Sequence, residues 1–234
     1  MDYIIKGDSD CPMLEVRLSR GEEITLESGA MVFMQDVELT GGLNSKQKGL
    51  SGLLGAIGRS LTSGESMFIT NARGISDDAL IGIAPACPGK IVKLEVDSSK
   101  QYRLNTGAFV CCDKSLTYEM RSQDLSKAFF SGTGGLFVME TTGYGDLFVS
   151  AFGDILEIEV TPDKPISIDN EQVVAWDSTL DYHIEVASGI IGFTSGEGLV
   201  NKFSGHGKVL IQTRNIHSLA NQLIPYMPQT HSSN

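Results

Sequence analysis

The sequence predicts an all-β protein: three tandem repeats of a β-sandwich-like unit, then a short C-terminal helix. Three observations support this. Short segments alternate apolar and charged residues, glycine-bearing turn signals separate them, and two long stretches align with each other without a gap.

The first unit spans residues 1–88. Its stretch "MLEVRLSRGEEITLESGAMVFMQDVEL" opens with Leu14, Val16 and Leu18 alternating with charged neighbours, the pattern of a half-buried strand. "GAMVF" here and "GAFVCC" further on are apolar at successive positions, which predicts strands covered on both sides. The second unit, 89–152, opens with "GKIVKLEVDSSKQYRLNTGAFVCCDKSLTY". The third, 153–228, opens with "GDILEIEVTPDKPISIDNEQVVAWDSTLDY". These two align throughout at an offset of 64, with Gly89 on Gly153, Glu95 on Glu159, Asp113 on Asp177 and Tyr118 on Tyr182. The first unit joins at an offset of 78, placing Leu26, Gly29 and Val32 on Leu104, Gly107 and Val110.

Each unit continues into a second half that starts at Ser63, Ser131 or Ser195. A Ser-Gly pair is followed by an apolar pair and a glycine-bearing turn, such as Gly143-Tyr144-Gly145 and Gly205-His206-Gly207. In "HSLANQLIPYM", Leu219, Leu223 and Ile224 have helical spacing and Pro225 is a stop, which predicts the C-terminal helix. Residues 229–234 are expected to form a disordered tail. The first unit also carries a Gly-rich insertion near 44–62, with Gly49, Gly52, Gly55 and Gly58 at every third position. Within it, Gly52, Leu53, Leu54, Gly55 and Ile57 are candidate ligand or partner contacts, and Trp176 is a further candidate. The alternative roles are a loop at a subunit contact for the insertion, and core packing for Trp176 as for Phe109 and Tyr182.

Composition narrows the function classes. The formal net charge of −11 over 234 residues opposes binding to nucleic acid or to an anionic membrane surface. The N-terminus lacks a basic start followed by an apolar core, and no apolar run reaches the length of a membrane span. A cytoplasmic location is therefore expected. Cys11, Cys87, Cys111 and Cys112 form no C-x-x-C pair, and the adjacent two occupy packing columns shared with Ala175 and Trp176.

Catalytic and cofactor motifs were sought along the chain. The stretch from Gly132 to Gly153 has Phe137 where a dinucleotide loop needs its third glycine, and no lysine for a P-loop. His183, His206, His217 and His231 have no metal-ligand spacing, and no G-x-S-x-G elbow is present. Asp113 and Asp177 share a column that holds Gln35 in the first unit; hydrogen bonds to nearby backbone N–H groups account for them. No catalytic residue, cofactor or metal is assigned.

"SGESMFIT", "GTGGLFVM" and "GEGLVNKFSGHGKVLIQTRN", the last preceding the helix, together resemble the bacterial branch of the altered inheritance of mitochondria protein 24 family, over residues 1–228. The resemblance implies a fold similar to the tryptophan RNA-binding attenuation protein, a small β-sandwich that assembles side by side into rings. Three such units in one chain imply a ring of fewer subunits, a homotrimer. RNA binding does not transfer, since the repeated columns here are not basic: Lys100 and Lys164 match Glu22 in the first unit. The expected function is a non-enzymatic, ring-forming scaffold or binding protein. The alternatives are a small-molecule binder with pockets between repeats or subunits, and a membrane-associating protein acting through residues 49–61.

Overall fold

Alternating apolar residues on short strands produce a molecule of four antiparallel sheets, seen in a computed structural model that describes residues 1–7, 11–43, 68–122, 137–186 and 199–227. From the N-terminus come β1 (Asp2–Lys6), β2 (Met13–Leu18), β3 (Glu23–Glu27), β4 (Met31–Gln35), β5 (Val37–Leu43), β6 (Phe68–Gly74) and β7 (Ala79–Ile83). Next are β8 (Ile91–Val96), β9 (Tyr102–Asn105), β10 (Phe109–Asp113), β11 (Leu116–Ser122), β12 (Phe137–Gly143) and β13 (Gly145–Ser150). Last are β14 (Ile155–Val160), β15 (Ile166–Asp169), β16 (Val173–Asp177), β17 (Asp181–Val186), β18 (Leu199–Ser204), β19 (Gly207–Gln212) and the helix α1 (Ile216–Leu223).

The first sheet has the order β1-β2-β7-β4 and the last β15-β18-β17. Between them lie two six-stranded sheets, β5-β6-β3-β10-β13-β8 and β11-β12-β9-β16-β19-β14. One pairing order, with the first strand of a segment beside its last and the last beside its third, occurs as β2-β7-β4, β8-β13-β10 and β14-β19-β16. The third strand of each of these groups carries the same irregularity. Its register slips once, between Met31 and Phe33, between Phe109 and Cys111, and between Val173 and Ala175. Such a bulge sharpens local twist, as a strand linking two twisted sheets requires.

Three hydrophobic cores fill the gaps between successive sheets. One joins Leu14, Val16 and Ile81 to Ile24, Leu26 and Phe148; a second joins Leu94, Cys112 and Leu147 to Leu104, Met139 and Ala175. The third, around Trp176, Phe203 and Ile168, has the densest aromatic packing. Trp176 meets Tyr182 edge-on with centroids 4.9 Å apart, and Phe203 likewise at 5.5 Å. The helix is capped by the Asn215 side chain, which accepts from the Ser218 N–H at 2.6 Å, and it ends in a short turn containing Pro225.

The expectation for "GAMVF" and "GAFVCC" divides. Phe109, Val110, Cys111 and Cys112 are fully buried, as are their counterparts in β16. Along β4, however, Met31, Val32, Phe33 and Met34 are 37%, 55%, 37% and 46% exposed. The cause is pairing. β10 is flanked by β13 and β3, and β16 by β19 and β9, whereas β4 has β7 on one side and, among the described residues, no strand on the other.

Two outcomes follow from this packing. Phe203→Ala removes the centre of the third core and is expected to cost about 3–5 kcal/mol, measured by denaturant unfolding with fluorescence of Trp176, the only tryptophan. Burial also raises the thiol pKa of Cys112 from 9.0 to about 12, and that of Cys111 well above its ordinary value. A thiol reagent at pH 8 should therefore label exposed Cys11 in the folded protein and reach Cys111 and Cys112 only after unfolding. As pH rises past 9 the unfolded chain loses these protons while the folded chain keeps them, so stability should fall toward pH 12. A Cys111→Ala/Cys112→Ala variant should show a shallower fall.

Candidate functional site

The turns that end paired strands concentrate most of the polar chemistry. Between Asp97 and β9 a tight turn is held by the Asp97 carboxylate, which accepts from the Ser99 N–H at 2.7 Å, the Ser99 hydroxyl at 2.7 Å and the Lys100 N–H at 2.9 Å. These bonds hold the Asp97 carboxyl below its ordinary pKa, those from Ser99 first. This turn, the end of β16 and the turn from His206 to Lys208 surround an open cleft of about 320 Å³. Ser99, Lys100, Glu159, Asp177, His206 and Lys208 line it.

The charges of this cleft answer one another. Lys208 Nζ lies 2.7 Å from Glu157 Oε1, which raises the lysine's pKa. Asp177 Oδ2 accepts from the Lys208 backbone N–H at 2.9 Å. Lys100 Nζ stands 5.4 Å from the Tyr102 ring centroid, and its bond with that side chain raises its pKa. A ligand site needs convergent polar groups with capacity to spare, and Lys100, Asp177 and Lys208 are already engaged within the chain.

The shared column of Asp113 and Asp177 has a structural role. Asp113 Oδ2 accepts from the Asp146 N–H at 2.6 Å, as Asp177 does from Lys208, so each carboxylate pins the start of a neighbouring strand. The glycines of the Gly-x-Gly turns make this possible. Gly143 and Gly205 have φ of +102° and +106°, and a Cβ on Gly145 would stand 2.7 Å from Asp113 Oδ2. Within the stretch from Gly132 to Gly153, Phe137–Gly143 is β12 and Gly145–Ser150 is β13, joined by a turn at Tyr144.

Other residues singled out from the sequence are dispersed. Gly52, Leu53, Leu54, Gly55 and Ile57 lie outside the described residues, as does His231. Trp176 packs in the third core beside Tyr182 and Phe203, while Phe109 belongs to the second. His217 Nδ1 is 2.6 Å from Glu171 Oε1 and ties the helix to the turn before β16. Among the described residues, no group of three or more His, Cys, Asp or Glu is placed to hold a metal ion. No helix among them is long and apolar enough to cross a membrane.

What the sequence analysis missed is the surface of β4. Here the Phe33 ring lies over Gly82, where an added Cβ would stand 2.6 Å from Phe33 Cδ1. At the corresponding ladder positions, Cys111 stands opposite Phe148 and Ala175 opposite Leu210. The large and small members have exchanged strands while the pair is kept. Among the described residues, β10 and β16 receive their second neighbour from the preceding segment, and β4 has no such neighbour. A second apolar surface is α1, where Ile216, Leu219 and Leu223 are exposed.

Comparison with known proteins agrees with this architecture. A Streptococcus pyogenes protein solved by X-ray crystallography superimposes with a TM-score of 0.80 at 42% identity, covering 97% of this chain and 99% of that one. A relative named as an uncharacterized protein of Streptococcus pyogenes serotype M6 is 44% identical over 230 residues, covering 97% of this chain and 92% of the relative. The family model described as mitochondrial biogenesis AIM24 matches residues 3–214. With fold, length and motifs in agreement, the chain belongs to the mitochondrial biogenesis AIM24 family.

Proposed function

We propose that the protein works as a homo-oligomeric ring, a non-enzymatic scaffold or binding protein made of three copies of a chain that itself holds three repeats of one β-sandwich unit. The observation that carries this is β4: an apolar strand with an unpaired edge, whose counterparts β10 and β16 are buried. An unpaired apolar edge is a standing site for strand addition, and proteins keep such edges short, charged or covered. Met31-Val32-Phe33-Met34 has no charge or proline to block pairing, and its bulge is one that β10 and β16 carry while paired on both edges. The recurring strand order supports the repeat, and closure follows the ring-forming fold that the family resemblance implies.

The engagement of Lys100, Asp177 and Lys208 within the chain weighs against a small-molecule site in that cleft, and a membrane role would rest on residues 49–61, outside the described residues. Light scattering or native mass spectrometry at micromolar concentration should give a single species of three chains. A monodisperse monomer would overturn the proposal.

A further inference from the structure

The chain contains two versions of the joint it needs a third time. In the first, β3 lies antiparallel to β10 with Leu26 opposite Cys111, Thr25 opposite Cys112 and Ile24 opposite Asp113. In the second, β9 lies antiparallel to β16 with Leu104 opposite Ala175, Arg103 opposite Trp176 and Tyr102 opposite Asp177. The registers coincide under the offsets of the sequence alignment: Leu26 maps to Leu104, and Cys111 to Ala175. Two strands are left without such a partner. β4 is the counterpart of β10 and β16, and β15 is the counterpart of β3 and β9; each stands at the end of its sheet.

We propose that β15 of one copy pairs antiparallel with β4 of the next, with Ile168 opposite Phe33, Ser167 opposite Met34 and Ile166 opposite Gln35. The inference rests on the oligomeric reading above and specifies the strands and the register that build it. The register is strict, because slipping by one residue turns every side chain to the other face. It also completes the architecture. The joined sheet β17-β18-β15-β4-β7-β2 has the order of β11-β12-β9-β16-β19-β14, with β1 added at its outer edge. The occupant is a second copy because β15 carries the alternation that β9 uses in the same role: Ile166 and Ile168 fall at the positions of Tyr102 and Leu104. The contact joins two different edges, so each copy gives one and receives one. Such a heterologous contact closes a ring when the successive rotations complete a turn.

The test is a disulfide across the predicted pair. In a background where Cys11 and Cys87 are serine, Met34→Cys combined with Ser167→Cys places two cysteines directly opposite, at a Cα separation that a disulfide spans. Mild oxidation should convert the chain to covalently linked oligomers on non-reducing gels. Met34→Cys with Asp169→Cys, two residues out of register, should cross-link far less. Val32→Glu on the exposed strand should shift the native mass to one chain with an unchanged circular dichroism spectrum. If the parent protein is a monomer, the oligomeric reading itself fails. If the parent is an oligomer but the Met34/Ser167 pair stays unlinked, or Met34→Cys alone links efficiently, the reading survives and this register is overturned. A linked species that migrates as a single chain would show closure within one molecule and overturn it equally.

Discussion

Two strand pairs, β3 with β10 and β9 with β16, make one body out of segments that would otherwise be separate small sandwiches. Without these pairs the second and third segments would each hold two three-stranded sheets, and the first would hold one sheet of four strands and one of three, near the lower limit for independent stability. With them, each of the two central sheets reaches six strands, and apolar strands such as Phe109–Asp113 are paired on both edges. The bulge recurring in β4, β10 and β16 falls on the strand that makes the joint, where two sheets must twist into continuity.

The cores depend on the same pairs. Cys111 contributes to the first core and Cys112 to the second, because adjacent strand residues face opposite ways and β10 stands between two sandwiches. That explains why "GAFVCC" carries no polar residue through Cys112, whereas "LEVRL", on an outer sheet, alternates. The cysteines are small side chains in a doubly covered strand, and burial keeps their thiols protonated.

Much of this was legible in the sequence because its signals are local. Alternation gave β2, β8 and β14, and the Gly-x-Gly turns gave the breaks between β12 and β13 and between β18 and β19, although each of these turns leads from one sheet to another and does not close a hairpin. Leu219, Leu223 and Pro225 gave the helix and its end. The role of Asp113 and Asp177 was readable as backbone hydrogen bonding, though not which strand each would pin. The pairing of one segment's strand with another's was not readable, since the two partners of a distant ladder share no local pattern. The exposure of β4 was missed for that reason: Met31–Met34 looks as buried as Phe109–Cys112 until the pairing of β10 with β3 and of β16 with β9 is seen. The exchange of bulk between Phe33 and Gly82 also becomes visible only when the two strands lie side by side.

Ring size, on this view, is set by the joint and not by any special contact at the chain ends. Each joint inside the chain turns one sandwich relative to the next by the amount that its register and bulge dictate. β4 retains the bulge of β10 and β16, and β15 retains the alternation of β9, so a joint between copies would impose the same turn. Equal steps inside and between chains close a ring when their sum completes a rotation, and otherwise continue as a filament. Bulky Phe33 in place of Cys111 or Ala175 is the one marked departure at this joint, and Gly82 makes room for it on the side of its own sheet. The joint's geometry can thus be conserved while its side chains differ. A chain edge is thereby distinguished from an internal seam by its residues and not by its backbone.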